Sequence, residues 1–175
     1  AALVRVFGRL GDPAALPILR RATASDLPEV RDAAVRALTD WPTAAPLSDV
    51  RALAADSSDA AVKALAFRGY VRMIGLRENQ NESQTLAKYE DALSIAATPE
   101  DKKLVLAALG DVRDPRVKDV LQPFLADPTF EAEAKAAAAK LAEVMPQASA
   151  SSGADTAPLA MDGNLDTRWG SGEPQ

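Results

Sequence analysis

A six-residue motif occurs twice in this chain, and its spacing constrains the fold more than any other feature. Residues 8–13 (Gly-Arg-Leu-Gly-Asp-Pro) return as residues 110–115 (Gly-Asp-Val-Arg-Asp-Pro), and both copies read Gly-x-x-x-Asp-Pro. The copies lie 102 residues apart, which is three periods of 34, and a fixed period of this size is typical of solenoid proteins. Each copy suits the end of one helix and the start of the next, because Asp can cap a helix and Pro fits its first turn.

The helices predicted between these motifs share one pattern of apolar positions. A helix is predicted to begin near Asp26, where Asp26 and Glu29 have the spacing of a capping box. Its apolar residues have offsets that recur in two later helices. The three sets are Val30, Ala33, Ala34, Ala37, Leu38 and Trp41; Val62, Leu65, Ala66, Gly69, Tyr70 and Met73; and Ala134, Ala137, Ala138, Leu141, Ala142 and Met145. One buried helical stripe explains this pattern, and its small residues predict close approach of neighbouring helices.

The first helix of each pair is predicted to begin near Pro13, Pro46, Ser83 and Pro115. Capping residues stand before further prolines at Thr98, Asp114 and Asp127. Hydrophobic residues make up 47% of the chain but aromatic residues only 5%, a mixture that suits closely packed helices. The sequence therefore predicts an all-α fold, an α-solenoid of about four helix-pair repeats over residues 1–145.

The repeats have a recognisable family pattern. Residues 10–19 (Leu-Gly-Asp-Pro-Ala-Ala-Leu-Pro-Ile-Leu) and 30–38 (Val-Arg-Asp-Ala-Ala-Val-Arg-Ala-Leu) resemble HEAT-like repeats of the short type found in phycobilisome lyases and bacterial scaffolds. The resemblance covers residues 1–145 and implies a helical scaffold, while it indicates almost nothing about activity. The third unit departs from the pattern with a long polar connection at residues 77–83.

The composition changes at Pro146, and residues 146–175 form a separate predicted region. Residues 160–169 (Ala-Met-Asp-Gly-Asn-Leu-Asp-Thr-Arg-Trp) resemble the opening of discoidin-like domains, also called the coagulation factor type C family. The matching positions are Ala160, Asp162, Gly163, Asn164, Thr167 and Trp169. The resemblance implies a linker and a mostly irregular segment that begins a β-sandwich domain, with the rest of that domain beyond Gln175.

The discoidin-like resemblance also implies a structural calcium site. Its candidate ligands are Asp162, Asn164 and Thr167, which offer oxygen atoms from one tight loop. The alternative is that residues 162–164 only form a turn and that Trp169 fills a core. We expect no cofactor in the helical part, and calcium only in the complete C-terminal domain.

Two features of the solenoid are candidates for binding. The connection at residues 77–83 is the first, with Arg77, Glu78, Asn79 and Asn81 as candidate binding residues, because functional insertions often fall between repeats. Its alternative is a solvated loop, and we expect that deletion of residues 76–83 leaves folding intact. Trp41 is the second candidate, as an aromatic contact at the surface, although its place in the stripe favours the core.

Composition removes several classes of function. The chain has a net charge of −5 and no Cys or His, so thiol catalysis, His-based triads and Cys/His zinc sites are excluded, and nucleic acid is not an expected partner. No apolar run is long enough to span a membrane. The carboxylate pairs Glu90/Asp91, Glu100/Asp101 and Glu131/Glu133 lie near predicted helix starts or on exposed faces, and capping and helix-dipole effects explain several of them. We therefore predict that this segment is not an enzyme.

These observations favour a protein-interaction scaffold or spacer, with a protein partner on the solenoid surface. We expect it in a larger secreted bacterial protein, extracellular or periplasmic, beside a discoidin-like domain that binds carbohydrate. The alternative is a targeting segment of a carbohydrate-active enzyme or a haem-containing sugar dehydrogenase whose catalytic domain lies outside this chain. A bilin lyase-type solenoid is a third interpretation, although the chain offers no Cys or His for a tetrapyrrole.

Overall fold

The computed structural model describes residues 11–78 and 80–144, which form eight α-helices and no strand. A 3-10 helix at Pro13–Ala15 precedes the first of them. The helices are α1 (Leu16–Ala22), α2 (Pro28–Thr39), α3 (Leu47–Asp56), α4 (Ala60–Gly75), α5 (Glu82–Ile95), α6 (Pro99–Leu109), α7 (Val117–Leu125) and α8 (Glu131–Val144). They form four consecutive pairs, so the all-α, solenoid-like fold is confirmed for these ranges.

The two helices of each pair have different neighbours. The second helices of successive pairs pack directly on one another in the order α2, α4, α6, α8, whereas successive first helices make only sparse contacts. The second helices therefore form one closely packed layer of the solenoid, and the first helices form a second, more loosely packed layer.

Glycine at two positions allows this close approach. A Cβ atom on Gly69 of α4 would lie 2.9 Å from Cβ of Thr39 in α2. A Cβ atom on Gly110, at the end of α6, would lie 3.1 Å from Cα of Ala137 in α8. Both distances are shorter than ordinary van der Waals contacts, which confirms that small residues set the spacing between second helices.

The apolar stripe of the second helices forms the core. In the first two units the C-terminal half of the stripe is buried throughout: Ala37, Leu38 and Trp41 in the first unit, and Gly69, Tyr70 and Met73 in the second. Trp41 has no exposed surface, so it belongs to the core and is not a surface contact. The predicted stripe agrees less well with the observed burial in α8, where Ala142 is exposed. Met145 lies outside the described residues.

Asp-Pro pairs begin their helical segments in one common way. The side chains of Asp12, Asp114 and Asp127 each accept a hydrogen bond from the backbone N–H two residues later, at 2.9, 3.0 and 2.8 Å. Thr98 caps α6 in a capping box with Asp101, with both hydrogen bonds at 3.1 Å. These predicted helix starts are confirmed, and the Asp side chain explains why the Asp-Pro motif marks them.

The predicted capping box at Asp26 is wrong. Helix α2 begins at Pro28 with Leu27 as its N-cap residue, and no side chain caps it. Pro suits the first helical position, so the boundary falls after Leu27 and leaves Asp26 one residue too early to cap. Ser25 contributes instead, because its Oγ accepts a hydrogen bond from the Leu27 N–H at 3.3 Å.

Candidate functional site

The connection between α4 and α5 joins neighbouring units. Arg77 has a φ of +53°, and its guanidinium donates a hydrogen bond to Glu82 Oε1 at 2.9 Å and another to the backbone carbonyl of Asp111. Glu78 Oε2 accepts a hydrogen bond from the Ala44 N–H at 3.0 Å. Arg77 thus contacts the connection that follows α6, and Glu78 contacts the connection that follows α2.

The remaining residues of this connection cap and anchor α5. Asn81 caps the helix in a capping box with Gln84, at 2.8 and 3.1 Å. Glu82 Oε2 accepts a hydrogen bond from the Arg113 N–H at 2.7 Å. Of the four predicted binding residues, Arg77 and Glu78 therefore contact neighbouring units and Asn81 caps α5, while Asn79 lies outside the described residues. Their role in binding stays a prediction.

A polar cluster of Arg51, Tyr70 and Asp91 joins α3, α4 and α5. Arg51 donates two hydrogen bonds to the Asp91 carboxylate, at 2.8 and 2.5 Å, and the Tyr70 hydroxyl donates a third at 2.8 Å. The bonds from Arg51 lower the pKa of Asp91, and burial raises the pKa of Tyr70. A carboxylate held ionised in this way is a poor general acid, so this cluster fits a structural role.

A related pair joins the first two units. Arg20 of α1 donates to Asp49 of α3 at 2.9 and 3.0 Å, and both residues line a cavity with Leu38. Leu38 and Tyr70 occupy the same position of the stripe. Arg–Asp pairs thus bridge the wider gap between first helices twice, and only the second bridge includes a hydroxyl.

A groove of about 580 Å³ lies between α4 and α6. We call it the second-helix groove. Its lining from α4 is Arg68, Val71, Arg72 and Gly75, and its lining from α6 and the following residues is Glu100, Asp101, Leu104, Ala107, Ala108 and Asp111. Leu104 is 39% exposed, which leaves an apolar surface open in a concave site.

Charged side chains flank this apolar surface. Arg72 is fixed in place, because its Nη2 donates hydrogen bonds to the backbone carbonyls of Thr39 at 2.9 Å and Trp41 at 2.6 Å. Asp101 is fixed by the capping box of α6. Tyr89 of α5 also lines the groove, and burial raises its pKa. Hydrogen bonds within the chain therefore hold a residue of each wall of the groove in place.

Sequence reasoning did not identify this groove. The pair Glu100/Asp101 was interpreted as a capping feature, which is correct for Asp101, and the residues of α4 that face the groove were not singled out. A signal was present, because Arg68, Val71, Arg72 and Gly75 have offsets of 0, 3, 4 and 7 and so share one side of a helix. That side differs from the buried stripe, and only the stacking of α4 on α6 shows that it faces a cavity.

Metal binding has no support in the part of the chain that the structure describes. Those residues contain no group of three or more acidic side chains arranged to hold a metal ion. The candidate calcium ligands Asp162, Asn164 and Thr167 lie outside the described residues. Within the same ranges, every helix falls short of the length and hydrophobicity needed to cross a bilayer.

The fold defines the class of this protein, which is an α-helical repeat protein with an open groove between two of its second helices. A family model described as HEAT repeats matches residues 1–70, and together with the helical pairs it supports HEAT-like repeats in this chain. Neither the comparison with curated proteins nor the comparison with solved structures gave a match. The comparisons lend no support to the discoidin-like resemblance. HEAT repeats commonly mediate protein interactions and are generally not catalytic.

Proposed function

We propose that this chain is a non-enzymatic protein-interaction module that binds a segment of a partner protein in the second-helix groove. The observation that carries the proposal is Leu104, which lies in the groove between two held walls with 39% of its surface exposed. A partner side chain placed against Leu104 removes apolar surface from water, which contributes about 25 cal/mol for each Å² buried.

The rigidity of the groove supports binding. Arg72 is bonded to two backbone carbonyls of the first unit, and Asp101 is bonded to the Thr98 N–H. Binding to walls that are already ordered costs less conformational entropy than binding to loops that must order first. The groove is therefore suited to gain affinity from a small contact area.

The carboxylates of Asp91 and Asp114 also favour binding over catalysis. The bonds from Arg51 lower the pKa of Asp91, and the bonds from Arg116 lower the pKa of Asp114. A general acid or base needs a pKa near the working pH and a place in a pocket with the substrate. Both carboxylates are instead paired with arginines and retain their charge at neutral pH.

The experiment is a selection of peptides from a random displayed library against the full chain, followed by affinity measurement with the purified peptides. The test variant is Leu104→Asp, which places a charge in the groove. We expect it to reduce the affinity of the selected peptides at least about tenfold, because an unpaired charge at an apolar contact must be desolvated.

The matched control is Leu27→Asp, which makes the same change at a leucine that is 64% exposed and lies outside the groove. It should leave peptide affinity unchanged. Circular dichroism of both variants checks that the helices are intact. Peptides that bind both variants as tightly as the unchanged chain would contradict the proposal.

The wider setting is part of the same proposal. The motif at residues 160–169 favours a discoidin-like domain that continues past Gln175, with carbohydrate as its ligand, calcium as its ion, and an extracellular or periplasmic bacterial location. The alternative is a targeting segment of a carbohydrate-active enzyme or a haem-containing sugar dehydrogenase. Reading the gene on both sides of this chain tests both. A catalytic carboxylate pair or a haem attachment motif would favour the alternative.

A further inference from the structure

The hydroxyl of Tyr89 differs from that of Tyr70, although both side chains are buried, with exposed fractions of 3% and 2%. The Tyr70 hydroxyl donates a hydrogen bond to Asp91. The Tyr89 hydroxyl has no hydrogen-bond partner among residues 11–78 and 80–144. A buried tyrosine usually finds a partner for its hydroxyl, so the Tyr89 hydroxyl is available to a ligand.

This hydroxyl lies at the wall of the second-helix groove. Tyr89 and Gly75 both line the groove, and a Cβ atom on Gly75 would meet the Tyr89 hydroxyl first, at 3.5 Å. Glycine has no side chain, so Gly75 leaves the hydroxyl uncovered. In the part of the chain that the structure describes, Trp41 Nε1 and Gln80 Oε1 are the unpartnered polar side-chain atoms that solvent does not reach. The Tyr89 hydroxyl is not one of them, so it is open to the groove.

The surroundings of the hydroxyl favour a neutral polar ligand. Burial raises the pKa of Tyr89, the charge of Arg77 lowers it and the charge of Asp111 raises it. The hydroxyl therefore keeps its proton at neutral pH and can donate a hydrogen bond. A charged group placed beside it would lose hydration, and either Arg77 or Asp111 would repel it. An amide group avoids both costs.

From this arrangement we infer that the partner segment inserts an Asn or Gln side chain into the second-helix groove, where its amide oxygen accepts a hydrogen bond from the Tyr89 hydroxyl. The inference rests on the proposed function and adds the chemistry of the ligand. A side chain suits the site better than a backbone carbonyl, because little of Tyr89 is exposed and a carbonyl brings its flanking residues with it. Apolar neighbours of the inserted residue cover Leu104, which lines the same groove.

The test uses the peptides selected from the random displayed library against the full chain. These peptides should share an Asn or Gln beside apolar residues. In a purified peptide this residue is replaced by an apolar residue of similar shape, Leu for Asn or Met for Gln. The replacement should weaken binding about three- to tenfold, because it leaves the Tyr89 hydroxyl without a partner.

Tyr89→Phe removes the hydroxyl and keeps the ring. This variant should bind the original peptide about three- to tenfold more weakly than the unchanged chain does. It should bind the original and the replaced peptide equally, because the two changes remove the same bond. Its urea midpoint should not fall. The matched control is Tyr70→Phe, which removes a hydroxyl bonded within the fold, so it should lower stability and leave peptide affinity unchanged.

A second variant covers the hydroxyl from α4. Gly75→Leu places a side chain over the Tyr89 hydroxyl and should weaken binding of the same peptides at least about threefold. Its control is Ala64→Leu, at an exposed position on the same helix and outside the groove. The control should leave peptide affinity unchanged.

The outcomes separate this inference from the proposed function. Selected peptides without Asn or Gln, or unchanged affinity in Tyr89→Phe, would overturn the inference, while Leu104-dependent binding would still support the proposed function. A loss of stability in Tyr89→Phe as large as that in Tyr70→Phe would also overturn the inference, because it would show that the hydroxyl is bonded within the fold. A library that yields no binding peptide would contradict both.

Other occupants of the groove give their own results. Self-association of the chain that Leu104→Asp abolishes would identify a second copy as the occupant and overturn the inference. Tighter peptide binding by Trp169→Ala would do the same by showing that residues 146–175 compete for the groove.

Discussion

The Tyr70 hydroxyl donates a 2.8 Å hydrogen bond to the Asp91 carboxylate, which links α4 to α5 across the boundary between the second and third units. Arg51 of α3 donates to the same carboxylate, so one acidic group joins three helices. At the equivalent position of the first unit, Leu38 provides packing without a hydroxyl. The junction that precedes the long connection thus carries an additional bond.

Tyr70→Phe should lower the free energy of unfolding by about 1 kcal/mol, the net contribution of one hydrogen bond in a partly buried site. Urea unfolding at pH 7 measures the change. In an Asp91→Ala background the same substitution should have little effect, because the acceptor is already absent. A full effect in that background would show that Tyr70 acts through packing and not through this bond.

Stability should fall in acid because of Asp91 and Asp114. Hydrogen bonds from Arg51 and Arg116 lower the pKa of these carboxyls below the ordinary value of 3.8. As the pH falls, the unfolded chain therefore binds these protons first. The contribution is fully present above the unfolded-state pKa and is lost as the pH falls through the folded-state pKa.

Urea unfolding of the unchanged chain and of Asp91→Asn, from pH 6 to pH 2, measures this contribution. The variant should be less stable at pH 6, and the difference between the two proteins should narrow toward pH 2. Asp119→Asn, at an exposed position on α7, serves as the control. A difference that is constant across the range would contradict the assignment to ionised Asp91.

Gly69→Ala should destabilise the fold, whereas Gly75→Ala on the same helix should not. The new Cβ atom at Gly69 would lie 2.9 Å from Cβ of Thr39, whereas at Gly75 the nearest atom is the Tyr89 hydroxyl at 3.5 Å. Overpacking costs about 1–3 kcal/mol, while the higher helix propensity of Ala contributes up to about 1 kcal/mol. Thermal unfolding of both variants gives the comparison, and equal melting temperatures would argue against close packing of α2 on α4.

Glu82→Ala should weaken the junction between the second and third units by about 1 kcal/mol, because it removes the acceptor for Arg77 and for the Arg113 N–H. Glu90→Ala, an exposed position on the same helix, is the control. The bonds of the connection also change the expectation for deleting residues 76–83, which we now expect to destabilise the fold. Unchanged urea midpoints for Glu82→Ala and for the deletion would show that these bonds contribute little.

Helix starts illustrate how far local sequence information reaches. Asp12, Thr98, Asp114 and Asp127 act where their spacing to a proline predicts, because a cap involves only residues within one turn. The predicted cap at Asp26 was wrong for an equally local reason, because the helix begins at Pro28 and its N-cap residue is Leu27, one residue later. The contacts of the candidate binding residues could not be predicted in this way. Arg77 and Glu78 are hydrogen-bonded to Asp111 and Ala44, and nothing near them in the sequence indicates those partners.

The sequence by itself determined the repeat, the positions of the helices and the buried stripe, because each depends on a periodicity that a single helix expresses. Only the tertiary structure decided which exposed residues meet, such as Arg51 with Asp91 and Arg68 with Leu104 across one groove. These encounters join residues on different helices, and they depend on how successive units stack. Packing of Gly69 against Thr39 and of Gly110 against Ala137 limits the spacing between α2 and α4 and between α6 and α8, which a pattern along one helix does not specify.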